Sequence, residues 1–191
     1  PLYMEELVKM LIDDRVILKQ SDDVWLVEDD RLGYLEVPAT LVGLLQARLD
    51  SLLYPERLTL QRAAVIGRIF YDAALEAIDA ADEIHVDDLP RILDRLAAQE
   101  FIHERETSAF AGCTEYIFGK TMLQDVLMST LLRRQQERYN RAAAGWLVAA
   151  SGARVGEYNS LIADYYEKAG DFEQAATYLQ NAGEQALKMC A

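Results

Sequence analysis

The chain has 191 residues, enough for one large domain or two small ones, and its 51% hydrophobic content can bury a real core. Thirty-two acidic residues against 19 basic ones leave a net charge of −13. That balance argues against binding a phosphate backbone through the chain as a whole, because a basic face and counterion release supply most of such affinity. Cys113 and Cys190 lie far apart and read as free thiols in a reducing compartment. With no apolar run near the roughly 18 to 20 residues of a membrane span, and no signal-peptide pattern, a soluble cytoplasmic protein without a membrane partner is expected.

The first residues, Pro1-Leu2-Tyr3-Met4-Glu5-Glu6-Leu7, already follow an apolar helical pattern, which suggests a piece of a longer protein. This helix runs to about Asp13. Val16-Ile17-Leu18 and Val24-Trp25-Leu26-Val27 flank Ser21-Asp22-Asp23 as a β-hairpin, so residues 1–35 read as a small helix-plus-hairpin unit. Gly33 and Pro38 mark a boundary.

A second block, residues 36–118, begins with the helical face of Leu41, Leu44, Leu45, Leu49 and Leu52. Pro55 opens a helix through Leu58, Leu60, Ala63 and Ala64 to Gly67. A short helix from Asp72 to Ala80 follows, then one capped by Asp87-Asp88 with Pro90 in its first turn. Two β-type runs, Phe101-Ile102-His103-Glu104 and Glu115-Tyr116-Ile117-Phe118, surround a loop containing Gly112. Short helices followed by a two-stranded hairpin predict a winged-helix domain.

Everything after residue 118 reads as helix. Residues 119–155 form a helical connector of two helices broken at Ser151-Gly152-Ala153. Residues 156–191 form a helical hairpin whose turn places Gly170 at a C-cap and Asp171 at the next N-cap. Ala163, Tyr166, Gly170, Ala175 and Ala182 fit the packing pattern of a tetratricopeptide repeat, although its tryptophan-type position is Asn159. A single repeat cannot bury its own face, which implies further repeats or packing back on earlier helices. The expected fold class is mainly α: a winged helix with small β-hairpins, then a tetratricopeptide-like segment.

Chemistry-bearing residues are few. Gly119-Lys120-Thr121 looks like the end of a phosphate-binding P-loop, but the glycine needed five positions earlier is Thr114, and the strand leaves no room for a loop. Lys120 keeps two readings: a solvated lysine on the first turn of a helix, or a cation reaching a nucleotide held by a neighbouring domain. Arg133, Arg134, Arg138 and Arg141 make the only concentrated basic patch, read either as a solvated face paired with nearby acids or as a docking surface for an acidic protein partner. His85 and His103 lack metal-ligand spacing, and no carboxylate pair sits in an apolar setting, so no catalytic or metal site is expected. A DNA-reading winged helix would present its third helix to phosphates, and here that helix opens with two carboxylates. The aromatics Tyr139, Trp146, Tyr165, Tyr166 and Tyr178 fall on apolar faces and are expected in the core.

The order of these motifs resembles the signal-transduction ATPases with numerous domains (the STAND class). Pro1 to Leu7 looks like the continuation of their Gly-Asn-Pro-Leu-Phe-x-Glu-Glu-Leu segment. Val37-Pro38-Ala39-Thr40-Leu41, Ala47-Arg48-Leu49-Asp50 and Ala63 through Phe70 resemble their winged-helix module. Tyr116-Ile117-Phe118 with Gln124-Asp125-Val126 and Leu131-Leu132 resembles their Tyr-x-Phe-x-His…Gln-Glu-Val…Ser-Leu-Leu stretch, and Ala163 through Asp171 the start of their repeat array. The resemblance implies an ATP- or ADP-binding core with Mg²⁺ upstream of this chain, helical repeats downstream, and a nucleotide cyclase or DNA-binding output. It also implies that Pro1 lies near the adenine and that Lys120 stands where a histidine of the family reaches the nucleotide phosphates. A lysine there is longer and permanently charged. On this resemblance the chain is a non-catalytic regulatory fragment, with no cofactor of its own and no direct nucleic-acid contact. The alternatives are a DNA-binding winged-helix regulator and a pure protein-interaction scaffold.

Overall fold

A computed structural model describes residues 2–21, 24–27 and 38–190, and these are mainly helical. Their contacts divide the chain into two compact units, Pro1–Arg57 and Leu58–Ala191. Among the described residues no helix is long and apolar enough to cross a membrane.

In the first unit, helix α1 (Leu2–Asp13) leads into an antiparallel hairpin of β1 (Ile17–Ser21) and β2 (Val24–Val27), with Ile17 opposite Val27 and Leu18 opposite Leu26. Pro1, the turn residues Asp22 and Asp23, and Gly33 lie outside the described residues. Helix α2 (Leu41–Asp50) is capped by Thr40, whose hydroxyl accepts from the Gly43 N–H at 3.1 Å. It packs on α1 and buries Leu44, Leu45 and Leu49. The same face also withdraws a charge: Arg48, 2% exposed, donates through Nη1 to Glu6 at 2.7 Å and through Nε to Asp13 at 2.9 Å. Burial of Asp13 outweighs these contacts and lifts its carboxyl above the ordinary value.

The boundary between units falls within α3 (Tyr54–Ile66). The second unit continues with β3 (Ile69–Tyr71), α4 (Asp72–Ala81), α5 (Leu89–Ala98), β4 (Ile102–Glu104) and β5 (Glu115–Phe118). Strand β3 is an addition to the hairpin that the sequence suggests. Gly67, at φ +140°, ends α3, and the three residues that follow pair with β5, so the antiparallel sheet runs β3-β5-β4. Phe70 is fully buried and stacks on Tyr116 at 5.7 Å, with Phe118 at 5.3 Å. Helix α5 turns Ile92, Leu93 and Leu96 inward, as its 3.6-residue period requires. It starts at Asp88, whose carboxylate accepts from the Arg91 N–H, and ends at Glu100 in the left-handed region, where the Phe101 N–H reaches Leu96 O at 3.0 Å.

The remaining helices are α6 (Thr121–Thr130), α7 (Arg133–Ser151), α8 (Val155–Lys168) and α9 (Phe172–Cys190), with a 3-10 turn at Gly152–Arg154. Helix α7 packs on α4 and α8, and α8 packs on α9. Gly170, at φ +74°, makes the α8–α9 turn, and Asp171 caps α9 through the Gln174 N–H at 3.2 Å. Tyr139 and Tyr165 are buried as expected, while Trp146, Tyr166 and Tyr178 are half-buried. The loop between β4 and β5 is held by Phe110, whose ring lies 5.0 Å from Tyr71, 5.2 Å from Trp146 and 5.3 Å from Tyr158. Phe110 is 6% exposed, so its removal leaves a cavity that three packed rings cannot refill. Phe110→Ala is expected to cost about 3–5 kcal/mol, read as a lower urea midpoint with an unchanged slope and as altered Trp146 emission.

Candidate functional site

Strand β5 runs through Phe118 into Gly119 and Lys120, and α6 begins at the next residue. The Gly119 N–H donates to Phe101 O at 2.9 Å, which draws the corner against the end of α5. A Cβ on Gly119 would stand 2.6 Å from Glu100 O and 3.2 Å from His103 Nε2. Close backbone approach therefore requires glycine here, and the Gly-Lys-Thr triplet is accounted for by packing. Lys120 is half-buried and takes the N-cap position of α6 in extended backbone, φ −133° and ψ 134°, without capping the helix through its side chain. The free N–H groups and dipole of a helix start favour an anion at such a place. His103 is exposed on β4, opposite Ile117, and its ring lies beside Gly119. The two-residue offset between Ile117 and Gly119 was the available signal for this neighbour, legible only once the strand register is known.

The four arginines do not act as one patch. Arg133, 93% exposed, pairs with Glu137 one turn on at 2.9 Å, and Arg134 is exposed. Arg138 turns inward, 2.5 Å from Asp82 Oδ1 and 3.5 Å from Glu83. Arg141 donates to Ala169 O at 3.2 Å, satisfying a carbonyl at the C-terminal end of α8. Pro1 lies outside the described residues.

Arg138 belongs to a network that periodicity alone did not announce. Arg62 on α3 is 2% exposed. Its Nη1 donates to Asp79 at 2.6 Å, and its Nη2 to Asp82 at 2.9 Å and to Ile84 O at 2.5 Å. The Tyr139 hydroxyl donates to the same Asp82 oxygen. Asp79 also accepts from the Val86 N–H at 2.8 Å and faces His85 Nδ1 at 3.2 Å. Burial works to raise the Asp82 carboxyl, but hydrogen bonds from Tyr139, Arg62 and the Glu83 N–H outweigh it and hold the group below its ordinary value. Burial likewise works to lower Arg62, and its bonds to Asp82 and Asp79 reverse that. Burial first, then the adjoining Asp82, pushes the Tyr139 phenol up. The sequence signal was an arginine at a buried phase of α3, between Leu58, Leu60, Ala63 and Ala64, with acids placed to meet it at the end of α4.

Asp82→Ala leaves Arg62 buried and short of a counter-charge, and is expected to cost about 3–5 kcal/mol of unfolding free energy. Because the folded carboxyl is depressed, its stabilisation is complete above the unfolded value near about pH 4 and is lost as pH falls through the lower folded value. The stability difference between the parent and Asp82→Asn should accordingly narrow below about pH 4 in urea titrations.

Compared with protein-family models, with curated proteins and with solved structures, the chain has no match.

Proposed function

We propose that this chain is a non-catalytic regulatory part of a multidomain signalling ATPase, coupling the nucleotide state of a core ahead of it to an effector and to helical repeats behind it. The observation that carries the reading is the glycine-dependent strand-to-helix corner at Gly119-Lys120, which sets a cationic residue at a helix start beside His103. The surrounding order, α3-β3-α4-α5-β4-β5 with the sheet arranged β3-β5-β4, agrees with a winged helix. The α8–α9 hairpin with its Gly170-Asp171 turn agrees with a tetratricopeptide unit. Helix α9 also leaves Phe172, Leu179 and Leu187 at 70%, 54% and 73% exposure, a stripe that a following repeat would cover.

In this reading ATP or ADP and Mg²⁺ belong to the core, Pro1 lies toward the adenine, and Lys120 with His103 approaches the phosphates from outside. Nucleotide exchange moves the winged helix as a rigid body against the core. The effector is a nucleotide cyclase or a transcriptional output, in the cytoplasm. DNA reading by this chain is disfavoured by its charge. Helix α5, the element that would enter the groove, is preceded by exposed Asp87 and its N-cap Asp88, and it exposes Asp94 beside Arg91.

Lys120→Ala, in the protein that carries the nucleotide-binding core, is expected to weaken ADP binding about tenfold, the worth of one charge-assisted hydrogen bond. Titration calorimetry reads this directly, and an unchanged affinity removes the phosphate-sensing role. The chain alone should hydrolyse no ATP. Duplex binding that falls steeply with salt would instead favour the DNA-reading alternative.

A further inference from the structure

A groove of about 450 Å³ crosses α8 between the end of α7 and α9. Val148 and Val155 give it an apolar side, Gln174, Thr177 and Asn181 line it from α9, and Asn159 of α8 is its deeply buried member. The three α9 residues follow at three- and four-residue spacing, so they form one polar row. Asn159 is 6% exposed, and among the described residues its carboxamide has no hydrogen-bond partner. Its oxygen and nitrogen are not sealed off as Asn140 Oδ1 is; both keep contact with solvent in a residue that lines the groove. The tetratricopeptide pattern would put a tryptophan-type side chain at this position, and the smaller asparagine leaves that space open. A buried polar side chain without a partner is costly unless something from outside completes it.

We propose that this groove binds the main chain of an extended peptide segment of neutral or basic character. A carboxamide offers a donor and an acceptor together. A residue in an extended chain presents its N–H and C=O on one side, so the Asn159 side chain completes both at once. Gln174 and Asn181 stand two turns apart on α9, about 10 Å along its axis. That is the span of about three extended residues, so the row can follow a peptide and not merely one amide. Thr177 already donates its hydroxyl to Glu173 O at 3.0 Å, which leaves its oxygen to accept from a peptide N–H. No lining residue carries a charge that would neutralise an ion, and the net charge of −13 disfavours an acidic segment. The site is separate from the corner at Lys120 and does not depend on the nucleotide reading.

The probe is a blocked hexapeptide of alternating valine and lysine, titrated into the whole chain and followed by amide chemical shifts, including the side-chain amide of Asn159. Saturable shifts are expected at Val148, Asn159 and Asn181 with half-saturation near about 1 mM. The same hexapeptide methylated on its backbone nitrogens keeps every side chain and loses the donors, and should bind at least about fivefold more weakly. N-methylacetamide, a single peptide group, should bind at least about tenfold more weakly than the hexapeptide. Asn159→Ala removes a carboxamide that bonds nothing within the protein and suits a helix interior, so the fold should persist while the hexapeptide binds about fivefold more weakly. Asn181→Ala, on the exposed row, should weaken it about threefold. Equal binding of the hexapeptide and its methylated form, no gain over N-methylacetamide, insensitivity to both substitutions, or no saturable shift by about 20 mM peptide each overturns the site.

Discussion

Arg62 cannot be withdrawn from water alone, and much of the second unit is arranged by the need to answer its charge. Moving a guanidinium into the interior costs several kcal/mol unless counter-charges and acceptors surround it. Asp79 and Asp82 supply the charges, and Ile84 O the neutral acceptor. These bonds fix the chain just beyond α4, where Val86 N–H and Glu83 N–H also bind the two carboxylates. Asp82 then has lone pairs left, which Arg138 and Tyr139 of α7 use. One buried cation on α3 thereby sets the end of α4 and the docking of α7. Replacing such a cluster by apolar residues of like volume is often neutral in stability, so its value lies in the single arrangement it permits.

The same unit has a second tie of a different kind. Phe110 brings Tyr71 of β3, Trp146 of α7 and Tyr158 of α8 into one aromatic cluster, and the Tyr165 hydroxyl donates to Ile66 O at the end of α3. Burial carries the Tyr165 phenol far above its ordinary value, and it holds Tyr71 near about 12, so both remain protonated donors at neutral pH. A polar lock at one end of α7 and an aromatic lock further along it oppose relative sliding of sheet and helices. Motion in this unit is therefore expected as displacement of the whole body, because packed interiors switch between discrete arrangements and do not deform smoothly.

Much of the helical plan was legible because it rests on periodicity. The faces of α2, α5 and α7, the Pro90 start and the Gly170-Asp171 turn each follow from local spacing and capping chemistry. Strand β3 was not, since three residues between two helices carry too little pattern to separate from either neighbour. The buried ion clusters were harder to read for another reason. Arg62 falls at a buried phase of α3, but its counter-charges Asp79 and Asp82, like Glu6 and Asp13 for Arg48, lie 17 to 42 positions away in sequence. At the candidate corner, Lys120 was marked by its place at a strand-to-helix junction. His103 was not, because its nearness to Gly119 depends on how β4 pairs with β5. Local rules reach caps and faces; cross-strand and cross-helix partners need the register.

The charge balance takes on a sharper meaning once these partners are assigned. Among 19 basic residues, Arg48, Arg62, Arg105, Arg138, Arg141 and Arg154 each bond acids, carbonyls or a phenol within the chain. An arginine whose fork is already filled adds little to the attraction of an external anion, since binding one would mean breaking bonds in place. The acids that meet these arginines are neutralised with them, so the pairing leaves the net charge of −13 as it stands, and the long-range field disfavours anions. A chain that pairs its arginines internally keeps a negative long-range field, which favours encounter with basic partner surfaces over anionic ones.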